Sequence, residues 1–210
     1  MPTSVGHALG GALAYLLLRN QLPRRNRGLF TTLMAAGALG TAADLDFAVG
    51  PLLGQAPGAF HHGFTHSLGF AALVAVAVAA LRRAGTGSAV SPQTKARAEA
   101  AAWSPGLIFA VYSSHIGLDL VAQDFVPPIG MQLFWPLTDQ YFGVPLHLFL
   151  SVERDGPEIL FGWGNVIAVA GEILLLLPPF VGLLWWRLRP GQPWDASVTA
   201  LRSTVTASSR

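Results

Sequence analysis

Cysteine is missing from this chain and charge is scarce. Without cysteine there is no disulfide framework, no thiolate metal site and no cysteine nucleophile. Charged residues make up 11% of the 210, against about 25% in a soluble domain. That is too little to cover a surface facing water on all sides, so an integral membrane protein is expected. The competing reading is a large soluble protein with buried helices. A basic stripe of the kind that binds nucleic acid is also missing, because the arginines flank apolar runs. No nucleic-acid partner is expected. Met1 to Leu18 contains no lysine or arginine, so the basic start of a signal peptide is lacking and the first apolar run is expected to be retained.

Strand-like alternation is lacking as well, and alanine, leucine, glycine and valine dominate the apolar runs. Their pattern predicts five helices, at about Val5 to Leu18, Leu29 to Ala43, Phe64 to Leu81, Trp103 to Ala122 and Ile159 to Trp186. The expected fold is an all-α polytopic membrane helix bundle of about five crossings. Only the fifth run clearly exceeds the roughly 20 residues that cross a bilayer. Shorter helices are tolerable where their polar ends line a protein cavity. Residues 1–189 form the expected membrane domain. Ala84 to Ala102 reads as a polar connector and 190–210 as a mobile cytoplasmic tail.

What is present is sorted. Of the thirteen basic residues, only Arg154 falls outside three groups: Arg19 to Arg27, Arg82 to Arg97, and Arg187 onward. By the positive-inside rule these groups are cytoplasmic, which gives an N-out, C-in topology. All six histidines, His7, His61, His62, His66, His115 and His147, then fall on the opposite, outer side. Phe134, Trp135, Tyr141 and Phe142 read as an interfacial aromatic belt.

His62 and His66 are four residues apart, as are His115 and Asp119. Residues at that spacing share a helix face and can offer two ligands to one ion. Asp44 and Asp46, two apart, are expected at the end of the second helix with one or both carboxylates turned to the same pocket. His7 lies near the outer start of the first helix. Ionisable groups at membrane depth are costly and tend to be functional. Nitrogen and carboxylate donors without sulfur suit Zn²⁺ first, with Mn²⁺ or Fe²⁺ as the other choices. Thr65 and Ser67 are expected to cap or to hydrogen-bond ligands, and His147 to lie at the rim.

His61-His62-Gly63-Phe64-Thr65-His66-Ser67-Leu68 closely resembles the H-R-G-x-T-H-S-L signature of the YdjM-like family of membrane-bound metal-dependent hydrolases. Gly6-His7 with Gly10, Asp44 to Asp46, Ser114-His115 with Asp119, and Gly130 to Pro136 resemble further motifs of that family in the same order. The family is itself distantly similar to zinc-dependent phospholipase C and the P1-type nucleases. The resemblance implies a bacterial inner-membrane, multi-pass protein. Its metal ligands would be His7, Asp44, His61 or His62, His66, His115 and Asp119. Three departures stand out. His62 occupies the usual arginine position, Ala43 replaces a proline, and no H-x-x-x-E helix follows residue 119. One or two ions are therefore expected rather than three.

The expected function is a metal-dependent hydrolase with its site at the outer membrane face, acting on a phosphoester or lipid-linked substrate. Asp46 is the expected general base and His62 the second catalytic candidate. The rival reading is a divalent-cation transporter or a metal-binding membrane protein without hydrolase activity. Glu172, deep in the fifth helix and followed by Pro178-Pro179, is the residue that would serve an ion pathway.

Overall fold

A computed structural model describes residues 2–19, 26–85, 103–125, 127–152 and 162–189. The fold is all-helical, with α1 Ser4–Leu18, α2 Asn26–Gly40, a 3-10 segment Ala42–Ala48, a single turn α3 Val49–Leu52, a 3-10 turn Phe64–His66, α4 Leu68–Gly85, α5 Pro105–Leu120 and α6 Trp163–Leu188. Among the described residues the only β pairings are two isolated bridges, Ala122 with Phe149 and Met131 with Phe142. The connector at 86–102, Arg24, Arg25, Arg154 and the tail from Pro190 lie outside the described residues.

Polar residues set the helix starts. Thr3 caps α1, and Ser104 caps α5 ahead of Pro105 at the first helical position. Ser67 accepts the Phe70 N–H at 3.0 Å and so caps α4. The second helix stops at Gly40, and the chain bends by 50° into the segment Ala42–Leu52. That bend carries Asp44 and Asp46 off the helix axis and toward the bundle.

α1 is central, packing on α2, α5 and α6, while α4 packs on α5. Tyr15, Leu16, Ala36 and Val111 form one buried cluster, and Ala71, Tyr112, Ile116 and Met131 another. Gly11 and Gly40 let α1 and α2 nearly touch. A Cβ on Gly40 would lie 2.6 Å from the His7 carbonyl oxygen and 2.9 Å from the Gly11 Cα. Leu17, Leu18, Phe30, Met34, Leu73, Val76, Leu174, Val181 and Trp185 are exposed, a belt too apolar for water.

α1 and α6 run parallel. At one end the Arg187 guanidinium donates to the carbonyls of Arg19 (2.7 Å) and Leu17 (3.1 Å). At the other end the Glu172 carboxylate accepts the N–H groups of Thr3 (2.7 Å) and Gly6 (3.1 Å). The nine residues Trp163–Gly171 of α6 therefore project past the start of α1.

Among the described residues α6 alone is long and apolar enough by itself to cross a membrane. α2 joined through its bend to Ala42–Leu52 makes a second such span if the two are counted as one. This falls short of the five expected from sequence, for a reason of length. With 15 residues α1 reaches roughly 22 Å at about 1.5 Å per residue, against about 30 Å of hydrocarbon.

Candidate metal centre

Four helical ends meet at one level of the bundle: the start of α1, the 3-10 segment after α2, the turn before α4, and the last turn of α5. Each delivers a metal-competent side chain. His7 comes from α1, Asp44 and Asp46 from the 3-10 segment, His66 from the turn, and His115 with Asp119 from α5. His7, His66 and His115 are fully buried, and Asp119 nearly so.

The atoms converge closely. His115 Nε2 lies 3.0 Å from Asp119 Oδ2, 3.1 Å from His66 Nε2 and 3.6 Å from Asp44 Oδ1. His7 Nε2 lies 3.3 Å from Asp119 Oδ1, and the His7 ring stacks on His115 at 3.6 Å. Yet both nitrogens of His7, Asp44 Oδ1 and both oxygens of Asp119 make no hydrogen bond. Buried polar atoms are nearly always paired, and a cation would give these five atoms the partner they lack.

The outward-facing nitrogens explain the inward-facing ones. His115 Nδ1 contacts the Gly40 carbonyl at 2.8 Å. A carbonyl only accepts, so Nδ1 carries the proton, and in the neutral ring Nε2 presents its lone pair to the cluster. Asp46 does the same for two rings at once. It accepts from His61 Nδ1 at 2.9 Å and faces His66 Nδ1 at 3.2 Å. Thr65 Oγ1 donates to the second oxygen at 2.6 Å, and Tyr112 Oη donates to the Thr65 carbonyl at 2.9 Å. Burial pushes the His66 imidazole down to about 4, outweighing its hydrogen bond to Asp46 and the charge of Asp119. Burial lowers His61 as well, against the same carboxylate. Neutral rings are the form that binds metal.

The sequence-predicted residues thus divide. His7, Asp44, His66, His115 and Asp119 meet directly. Asp46 stands behind the histidines with both oxygens engaged. His61 and His62 lie next to His66, with ring centroids at 4.6 and 5.3 Å. His147 is exposed and lines a small pocket shared with His62, Asp119, Asp124, Ile129, Gly130 and Val144. Phe134 and Phe142 stack edge to face, and Trp135 meets Phe64. Part of the predicted aromatic belt therefore folds the loop over the site.

Sequence reasoning missed the Gly40 carbonyl, which has no side-chain signal, and Asp124, whose Oδ2 stands 3.5 Å from His62 Nδ1. Tyr112 could have been found. It precedes His115 by three residues and Asp119 by seven, on the same helix face.

The donor set fits a divalent cation: imidazole and carboxylate, no sulfur, and unpartnered buried lone pairs. No curated protein and no solved structure gives a match. A family model described as YdjM inner membrane protein matches residues 1–188, and the chain belongs to that family.

Proposed function

We propose that the chain is a membrane-bound metal-dependent hydrolase whose substrate is a phosphoester, carried on a lipid, approached from the non-cytoplasmic side. One observation carries the reading. Side chains from four helical ends bury unpaired nitrogens and carboxylate oxygens within 3 to 4 Å of one another.

A divalent cation, Zn²⁺ by the donor set, would supply Lewis-acid polarisation and lower the pKa of water toward about 7. His7, Asp44, His66, His115 and Asp119 would hold it. Asp46, given the role of base by the sequence, suits a different task here. With His61, His66 and Thr65 all on its two oxygens, it orients rings and fixes their tautomers. His147 lines the pocket that reaches Asp119, and in this reading it would take or return a proton there.

The lipid-borne substrate is supported by the surface around that pocket. Ile129 and Val144 are exposed on its wall. Leu146, Leu148 and Leu150 are exposed while Phe149 packs inward on Leu176, in the middle of α6. A loop at that height beside a spanning helix meets acyl chains. The parallel run of α1 and α6, with Arg19 and Arg187 at one end, supports a first and fifth crossing in the same direction, N-out and C-in. The short helices would then be accommodated by packing on their neighbours and by local thinning of the bilayer.

A cation pathway would need Glu172 available, whereas its oxygens are occupied by Thr3 and Gly6. The test is direct. Metal content is measured on purified protein, and hydrolysis of phospholipid vesicles and of soluble phosphoesters is followed with and without chelator. Chelator-sensitive hydrolysis that His66→Ala and Asp119→Ala abolish together with the metal is expected. Metal-dependent uptake into proteoliposomes without hydrolysis would reverse the reading.

A further inference from the structure

We propose that Tyr112 is a positioning residue of the metal centre, which acts through Thr65 to hold His66 against His115 and Asp119 before any ion arrives. This rests on the reading of the cluster as a metal centre and is independent of which reaction follows.

The ligand atoms do not stay together of their own accord. His66 Nε2 lies 3.1 Å from His115 Nε2 and 3.5 Å from Asp119 Oδ2. The His115 ring carries its proton on Nδ1, against the Gly40 carbonyl, and His66 Nδ1 faces Asp46. Two nitrogen lone pairs and a carboxylate oxygen therefore face one another in the metal-free protein. Like partial charges at that distance repel, so the elements that carry them must be fixed by bonds made elsewhere.

Three of those elements are the 3-10 segment Ala42–Ala48 with Asp44, the turn Phe64–His66, and α5 with His115 and Asp119. Thr65 ties them together. Its hydroxyl donates to Asp46 Oδ2 at 2.6 Å, and its carbonyl accepts from Tyr112 Oη at 2.9 Å. The second bond has a local cause. In a 3-10 turn the carbonyl of residue i takes the N–H of residue i+3, which for Thr65 is Leu68. That N–H donates instead to the Leu133 carbonyl at 3.0 Å. A buried carbonyl without a partner costs free energy, and the Tyr112 hydroxyl supplies the partner from α5.

The placement of Tyr112 gives that bond its reach. Tyr112 precedes His115 by three residues and Asp119 by seven, so the three share one face of α5. Its side chain is fully buried in a cluster with Ala43, Ala71, Ile116 and Met131, and Ala43 stands next to Asp44 in the chain. Phenylalanine would fill the same apolar cluster. What the hydroxyl adds is the bond to Thr65, and with it a fixed distance between the turn and the helix. Ligands held in place beforehand bind more tightly, because less ordering is left for the ion to bring about.

The experiment uses the full chain in detergent, stripped of metal and titrated with Co²⁺ against a competing chelator. Affinity is read from the titration, coordination from the visible ligand-field bands, and the fold from circular dichroism. Tyr112→Phe is expected to keep its helicity, to bind Co²⁺ about 10- to 100-fold more weakly, and to show altered bands as His66 shifts. A role in packing alone would lower the thermal midpoint and leave affinity and bands unchanged, and that result overturns the proposal while leaving the metal centre standing. Thr65→Val removes the link to Asp46 and keeps the carbonyl. It should weaken binding too, and the double variant should lose less than the product of the two single losses, since both run through one turn. A full product overturns the route through Thr65. Should Tyr112→Phe fail to fold, Thr65→Val decides, because affinity equal to that of the unaltered chain overturns the proposal. No Co²⁺ bound by the unaltered chain overturns the metal centre and the proposal together.

Discussion

The Glu172 carboxylate caps a helix 169 residues away in the chain: Oε1 accepts the Thr3 N–H at 2.7 Å. Its other oxygen takes the Thr3 hydroxyl at 2.5 Å and the Gly6 N–H at 3.1 Å. A negative charge at a helix start is favourable, and hydrogen bonds to charged groups are worth about 1.5–3 kcal/mol each. Glu172→Ala should therefore lower stability by roughly 3 kcal/mol or more, read as a drop in thermal midpoint in detergent. Because His7 rides on the same helix, metal content should fall as well. An unchanged midpoint would show that the cap contributes nothing.

Gly40 joins α1, α2 and α5 at one atom group, its carbonyl holding His115 and its Cα lying against Gly11. Gly40→Ala would push a methyl group into the His7 carbonyl. We expect about 1–3 kcal/mol of destabilisation from the forced separation, and weaker metal retention because His7 and His115 would no longer sit together. Equilibrium dialysis against a graded chelator measures the second effect. Retention equal to that of the unaltered chain would mean that the helices absorb the methyl without moving the ligands.

Asp46 distinguishes orienting from proton transfer. If it orients His61 and His66, Asp46→Asn should weaken metal affinity by about 10- to 100-fold, and activity should return at higher metal concentration. Full metal occupancy with turnover lost would instead restore it to the role of general base.

His66 sets a pH dependence in the metal-free protein. Burial holds its pKa down to about 4, while an unfolded histidine titrates near 6.5. Between those values the unfolded chain binds more protons than the folded one, so stability rises with pH across that window and levels off above it. The change is on the order of 3 kcal/mol, from about 1.36 kcal/mol per pH unit. Thermal midpoints of the chelated protein from pH 4 to 7.5 check this. His66→Gln should flatten the slope, and a slope that survives in that variant assigns it to another group.

The helices were legible because they are apolar, but not all their ends were: the second was expected to run to Ala43 and stops at Gly40, and the third was expected from Phe64 and starts at Leu68, capped by Ser67. The pair His115 and Asp119 was legible for a local reason, since helical spacing puts both on one face. Contacts made across the bundle were not. Nothing near Glu172 in the sequence indicates that its partner is Thr3, and a backbone carbonyl such as that of Gly40 leaves no trace in side-chain patterns. Asp46 was legible as a carboxylate turned to the pocket, whereas the three partners on its two oxygens, His61, His66 and Thr65, are far from it in the sequence. Apolar character was visible in the sequence and the stopping points of the short helices were not, which is why five crossings were expected where α6 alone is long enough by itself among the described residues.

The overhang of α6 has a kinetic consequence. Trp163–Gly171 rises past the start of α1 by roughly 14 Å at about 1.5 Å per residue, and His7, His66 and His115 are fully buried at the level of that start. Among the described residues a small pocket lined by Asp124 and His147 reaches His62 and Asp119, and an ion held there would leave by it. Its residence time is set by that passage as well as by its ligands. A bulky water-soluble chelator should then strip the protein slowly and a small membrane-permeant one quickly, even when the two bind metal equally well.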